Sequence, residues 1–83
     1  MKVTVKFFAT LADYLPAGSH NNQFELEVAE SDSVADIIER FRLPEKLVHL
    51  VLINGNYVAA TARADQRLRG GDQLAIWPPI AGG

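Results

Sequence analysis

The chain has no cysteine among its 83 residues. This absence excludes disulfide bonds, thiolate metal sites and thiol nucleophiles, so any sulfur that the protein handles must be supplied from outside. The sequence also has no apolar run long enough to cross a membrane. Lys6 and Asp13 interrupt the apolar stretch that a signal peptide would need near the N-terminus. The expected compartment is therefore the cytoplasm.

Basic residues are also few. Eight Lys and Arg stand against ten Asp and Glu, which gives a net charge of −2. The basic residues are scattered and form no stripe, so a nucleic acid is not the expected partner. A hydrophobic content of 48% supplies one modest core, and 83 residues leave no room for a second one.

Alternation of apolar and polar residues predicts short β-strands. Three stretches alternate with a period of two: 2–7, 23–28 and 73–77. A near-continuous apolar run, 47–53, is typical of a more central strand. It is followed by Asn54-Gly55, a strong hairpin signal, so 56–60 is expected to return antiparallel to it.

One longer helix is predicted after Ser33. Ser33 and Asp36 have the spacing of a capping box, and an apolar stripe at helical spacing follows: Val34, Ile37, Ile38 and Phe41. Asp36 and Arg40 are expected to form an i,i+4 pair, and Pro44 ends the helix. A shorter helix capped by Thr10 is expected to end at Pro16.

The order of these elements predicts an α+β fold. An amphipathic helix this short must bury its stripe against a sheet. A right-handed crossover through the helix places the first and last strands side by side in the centre. We therefore expect a mixed sheet of four or five strands packed on one main helix.

The end of the sequence, 77–83, combines two conformationally restricted prolines with two glycines that have no side chain. Pro78 and Pro79 each fix one backbone dihedral, whereas Gly82 and Gly83 have no Cβ and can enter a channel too narrow for a side chain. We expect a body at 1–77 and an extended reactive tail at 78–83 that holds a terminal carboxylate away from the body. The alternative is an ordinary frayed terminus.

Other polar residues carry weaker functional signals. Glu25 and Glu27 share one strand face and could be an acid–base pair, although a solvated face is the more usual explanation. Neither His20 nor His49 has a neighbour at metal-ligand spacing, and His49 is expected to be a satisfied structural residue in its strand. Gly70-Gly71 lacks the lysine of a phosphate-binding loop and is expected to be a turn.

Two aromatic residues form the better candidate. Alternation places Phe8 and Trp77 away from the helix, on strands that we expect to be neighbours. Large exposed aromatic residues often anchor interfaces, so the pair is a candidate docking patch beside the tail. The alternative is that both rings pack on the prolines of the tail.

The two ends of the sequence resemble those of the MoaD/ThiS-type sulfur carriers, most closely the small subunit of molybdopterin synthase. The similarity rests on the segment 78–83 with an aromatic residue before it, on Gly71-Asp72, and on Phe7-Phe8-Ala9. It implies a ubiquitin-like β-grasp fold. It also implies a carrier protein that is not itself an enzyme and acts as the small subunit or co-substrate of a synthase.

The resemblance also implies a mechanism and partners. An adenylyltransferase of the ubiquitin-activating type would use ATP to adenylate Gly83, sulfur would replace AMP to give a thiocarboxylate, and the carrier itself would bind no cofactor or metal. The large subunit of molybdopterin synthase, or an equivalent enzyme, would accept the sulfur. The partner-contacting residues implied are Phe8, Trp77, Pro78, Pro79, Ile80, Ala81 and Gly82.

The receiving pathway and the final chemistry stay open. The segment 54–58 also resembles carriers outside the molybdenum pathway, including those of thiazole and amino-acid synthesis. A ubiquitin-like modifier joined through Gly83 to lysines of other proteins is a second possibility. A β-grasp binding module with inert terminal glycines is a third.

Overall fold

The computed structural model of the protein describes residues 1–79. These residues form one sheet, one α-helix and three short 3₁₀ helices. The strands and the α-helix are β1 (Lys2–Phe7), β2 (Gln23–Glu27), α1 (Val34–Arg40), β3 (Leu50–Ile53), β4 (Asn56–Tyr57) and β5 (Gln73–Trp77). The 3₁₀ helices span Ala9–Tyr14, Glu45–Leu47 and Ala60–Ala62.

The sheet has five strands in the order β2-β1-β5-β3-β4. The central pair, β1 and β5, is parallel, and the other neighbouring pairs are antiparallel. The prediction that the first and last strands lie side by side in the middle of a mixed sheet is confirmed. Because these two strands are parallel, both end at the same edge of the sheet.

Helix α1 begins at the predicted capping box. The backbone N–H of Asp36 donates to Ser33 Oγ at 3.2 Å, and the backbone N–H of Ser33 donates to the Asp36 carboxylate at 2.9 Å. This bond from Ser33 lowers the pKa of Asp36. The predicted Asp36–Arg40 pair is wrong, because the carboxylate caps the helix and Arg40 instead donates to the backbone oxygen of Glu27 at 3.1 Å.

The core lies between α1 and one face of the sheet. Phe7 is fully buried, and its ring meets those of Phe24 and Phe41 edge to face at centroid distances of 5.4 and 5.6 Å. Such edge-to-face contacts are favourable for aromatic rings. Phe41 belongs to the predicted apolar stripe of the helix, and the contact of the three rings joins β1, β2 and the end of α1.

Two predicted elements differ from the structure. The helix after β1 is a 3₁₀ helix whose N-cap residue is Phe8, so Thr10 lies inside it and caps nothing. Ala9 adopts a positive φ of 52°, which turns the chain so that the helix begins two residues earlier than expected. The return strand is also short: β4 ends at Tyr57, and the chain enters a 3₁₀ helix at Ala60.

His49 is not the structural strand residue that we expected. Strand β3 begins only at Leu50, because the residues at 45–47 form a 3₁₀ helix. The side chain of His49 is exposed, and its backbone makes the contacts described below.

Among residues 1–79, the helices are too short or too polar to span a membrane.

Candidate docking site at the end of the central strands

Phe8 and Trp77 meet at the edge where β1 and β5 end. Phe8 directly follows β1, and Trp77 is the last residue of β5. The backbone N–H of Phe8 donates to the oxygen of Ile76 at 3.1 Å, which continues the parallel ladder by one residue. The two rings are stacked, with centroids 4.4 Å apart and planes inclined by 9°.

The stack lies on the sheet face opposite α1. Phe7 and Ile76, the sequence neighbours of the two aromatic residues, are fully buried against the core. Since successive side chains of a strand point to opposite faces, Phe8 and Trp77 point away from the core, as predicted. Both are half-buried, so each ring covers part of the other and leaves the rest to solvent.

The strand register extends this apolar surface across the sheet. Leu50 lies opposite Trp77, and Leu52 lies opposite Tyr57. Residues directly opposite one another share a face. We call these five side chains, Phe8, Leu50, Leu52, Tyr57 and Trp77, the sheet-face patch.

The sequence reasoning identified Phe8 and Trp77 but missed Leu50, Leu52 and Tyr57, of which Tyr57 is the most exposed. Its side chain is 64% exposed, the largest exposure among the large hydrophobic residues that the structure describes. Val58, the next residue, is buried and donates its N–H to the oxygen of Val51. An alternation test across 56–58 could have assigned Tyr57 to the outer face, because Val58 alone suits the core.

The start of the tail remains close to the body. Pro78 is buried and Pro79 is exposed. The other predicted tail residues, Ile80, Ala81, Gly82 and Gly83, lie outside the described residues. Their roles, and the division between a body at 1–77 and a tail at 78–83, therefore stay predictions.

Glu27 is held in an ion pair. It pairs with the amino group of Met1, whose hydrogen bond and charge lower the pKa of the Glu27 carboxyl. A carboxylate that is stabilised in its charged form is a poor general acid. Glu25 is exposed two residues away on the edge strand β2. Glu25 and Glu27 therefore lie on a solvated strand face, which was the alternative to an acid–base site.

In the part of the chain that the structure describes, the two histidine side chains show no sign of a metal site. His20 and His49 are both exposed. Within residues 1–79, no cluster of three or more His, Asp or Glu side chains could hold a metal ion. The candidate site in the described residues is therefore the sheet-face patch, at the edge where β1 and β5 end.

The fold and this surface define a class. A mixed five-stranded sheet packed on one main helix, with parallel central strands formed by the first and last segments, is a ubiquitin-like β-grasp. Within that class, the chain belongs to the Mut7-C ubiquitin family, whose model matches residues 1–81. A search of curated proteins finds no match.

Solved structures show the same fold. The chain is 26% identical to SAMP1 from Haloferax volcanii, with 100% of both chains covered and a TM-score of 0.69. It is 28% identical to a putative molybdopterin converting factor subunit 1 from Pyrococcus furiosus, covering 95% of this chain and 98% of that one, with a TM-score of 0.69. The H. volcanii protein HVO 2177 is 25% identical, with 100% and 87% covered and a TM-score of 0.76.

These comparisons confirm the predicted resemblance at the level of fold and family. The named relatives include a molybdopterin converting factor subunit and a small archaeal modifier protein. The chain is thus a ubiquitin-like protein whose structural neighbours are named as molybdopterin converting factor subunits and modifiers.

Proposed function

We propose that the protein is a sulfur carrier and that the carboxylate of Gly83 is its reactive group. A separate activating enzyme of the adenylyltransferase type binds the sheet-face patch and receives the tail in its active site. The carrier binds no cofactor of its own, because the activating enzyme supplies the ATP. The sulfur goes to molybdopterin biosynthesis through the large subunit of the synthase, for which this chain acts as the small subunit or co-substrate.

The chemistry has three steps. The Gly83 carboxylate attacks the α-phosphorus of ATP, which releases pyrophosphate and forms an acyl adenylate. A sulfide-level donor then attacks the carbonyl carbon, the bond to AMP breaks, and a thiocarboxylate remains. Its sulfur finally attacks an electrophilic carbon of the accepting precursor and displaces an oxygen leaving group from that carbon. Water then cleaves the acyl–sulfur bond of the resulting thioester, which restores the Gly83 carboxylate and leaves the sulfur on the product as a thiol.

The stacked pair Phe8–Trp77 is the observation that carries this proposal. It places an anchor for a partner at the last residue of the central strand, immediately before Pro78. A partner that binds there is directly beside the origin of the tail. Holding the body by the patch fixes the point from which 79–83 can extend, so the reactive end samples a small volume.

The composition and the relatives give further support. A chain without cysteine offers no thiol of its own that could compete for activated Gly83. The P. furiosus relative, at 28% identity, is named as a subunit of molybdopterin converting factor. A sulfur carrier for thiazole or amino-acid synthesis would use the same activation and differ only in the acceptor.

A protein modifier is the second candidate function. The observation that favours it is the 26% identity to SAMP1 over the whole of both chains, since that protein is named as a modifier. Activation would again proceed through an adenylate at Gly83, but a lysine amine of another protein would then displace AMP and form an amide.

An activation assay tests the proposal. The protein is incubated with a ubiquitin-activating-type adenylyltransferase, ATP and sulfide, and its mass is measured. We expect the mass to rise by the difference between one sulfur and one oxygen, with the change located at Gly83. A variant without Gly83 is the matched control and stays at its original mass. Failure of the intact protein to gain sulfur with an enzyme that adenylates it would contradict the carrier function.

A further inference from the structure

Arg63 directly follows the 3₁₀ helix Ala60–Ala62, in the segment between β4 and β5, and lies 14 positions before Trp77 in the sequence. Its Nη2 donates to the backbone oxygen of His49 at 3.1 Å, and its Nη1 to the oxygen of Val48 at 3.4 Å. The guanidinium thus binds two consecutive carbonyl groups just before β3. The planar fork of arginine suits this arrangement, whereas a lysine ammonium is a point charge.

The peptide group between Val48 and His49 continues the contact toward the tail. Its oxygen accepts from Arg63, while its N–H donates to the oxygen of Trp77 at 3.0 Å. Hydrogen bonds in a chain polarise one another, so a charged donor at one end strengthens the bond at the other. A chain of two hydrogen bonds therefore connects the guanidinium to the last residue of β5.

The oxygen of Trp77 is a sensitive point because it belongs to the Trp77–Pro78 peptide. That peptide is planar, and the ring of Pro78 fixes the next backbone dihedral. A bond that fixes this oxygen consequently fixes the direction in which the chain leaves the sheet. It also restricts the backbone conformation of Trp77 itself.

Arg63 occupies this position at a cost. Its Nε is buried and has no hydrogen-bond partner among the described residues. A buried donor without a partner loses its hydration without compensation. An apolar residue here would avoid that loss and could fill the groove that Arg63 lines with Ile38 and Leu43. Packing alone gives no reason for a guanidinium at this position.

We propose that Arg63 is a positioning residue for the docking site: through the Val48–His49 peptide it orients Trp77 and the exit of the tail. The effect of Arg63 on partner docking rests on the proposed function. Its effect on the orientation of Trp77 does not. Arg63 touches neither the partner nor the reacting atoms. It reduces the range of directions that Pro79 and the following residues can take when the partner binds.

The test compares Arg63→Ala with Arg63→Lys, which retains a cation that can reach only one carbonyl at a time. The control is Arg69→Ala, because Arg69 is exposed and its side chain makes no hydrogen bond or ion pair within residues 1–79. Trp77 is the only tryptophan, so intrinsic fluorescence reports its surroundings without any partner. We expect the emission of Arg63→Ala to shift as the ring stack loosens, that of Arg63→Lys to shift less, and that of Arg69→Ala to stay unchanged.

Activation kinetics supply the second readout. We expect KM for the carrier to rise about tenfold in Arg63→Ala, equivalent to the loss of one charge-assisted hydrogen bond, with kcat unchanged. If Arg63→Ala does not fold, Arg63→Lys carries the test with a smaller rise. If a folded Arg63→Ala variant, or Arg63→Lys where Arg63→Ala does not fold, has the fluorescence emission of the wild type, Arg63 does not orient Trp77 and the inference is overturned. An unchanged KM in the same variant overturns the role in docking. If even the wild-type protein is not activated, the proposed function fails, and the fluorescence still decides the structural link.

Discussion

Replacing Trp77 with alanine separates docking from folding, because its ring lies on the outer face of a strand whose other face is core. The neighbouring residue Ile76 is fully buried and holds β5 in place without the indole. The backbone pairing of Trp77 with Leu50 does not depend on the side chain. We therefore expect Trp77→Ala to fold with the same topology.

The magnitudes follow from the contacts. The stack on Phe8, at 4.4 Å between ring centroids, contributes about 0.5–1.5 kcal/mol to stability beyond its buried area. Truncation of a central aromatic residue in an interface costs about 2 kcal/mol or more of binding energy, which weakens affinity roughly 30-fold. Trp77→Phe keeps a ring on Phe8, and we expect it to retain most of the affinity.

The assay measures both quantities on the same variants. Titration against the activating enzyme gives Kd, and urea denaturation gives the free energy of unfolding. Phe7→Ala is the control for the opposite face: its ring is fully buried, so its unfolding free energy falls by about 3–5 kcal/mol. A large loss of stability with unchanged affinity in Trp77→Ala would place the indole in the core and refute the docking assignment.

Three further predictions address the tail, the helix and the edge strand. Deleting Gly83, or adding one residue after it, abolishes ATP-dependent activation and leaves the thermal midpoint unchanged; normal activation of the longer form would refute a role for tail length. Ser33→Ala lowers the unfolding free energy by about 1 kcal/mol in urea denaturation, because it removes the hydroxyl that caps α1, and an exposed Ser→Ala variant such as Ser31→Ala is the control. The pKa of Glu27 is lowered in the folded state, so its stabilising effect is present above the unfolded pKa of about 4.3 and is lost as the pH falls through the folded pKa. Glu27→Gln should remove that part of the acid dependence of stability, and an acid denaturation curve identical to that of the wild type would contradict the ion pair.

The elements with regular patterns were predictable from the sequence. Alternation located β1, β2 and β5, and the Ser33–Asp36 box located the start of α1, because each of these signals is local and repeats over several residues. The same alternation placed Phe8 and Trp77 on one face. Their contact followed once the crossover rule made β1 and β5 neighbours.

The remaining features depend on contacts between distant segments. Ala9 turns the chain with a positive φ, although alanine gives no local sign of it, and this displaced the predicted cap at Thr10. Arg40 donates a hydrogen bond to the backbone oxygen of Glu27 and does not pair with a residue of its own helix. Arg63 binds carbonyls 14 and 15 positions earlier in the chain, in a segment with no periodicity. Such bonds are visible only after the sheet has been assembled.

The most direct test of the carrier function is the mass of the protein recovered from its native cells. A carrier exists partly as the thiocarboxylate at Gly83 and returns to its original mass once an acceptor has taken the sulfur. We predict both masses and no other change, with the sulfur-containing form disappearing when the activating enzyme is removed. Recovery only as amide conjugates to lysines of other proteins, with no thiocarboxylate at any stage, would contradict the carrier function and establish the modifier in its place.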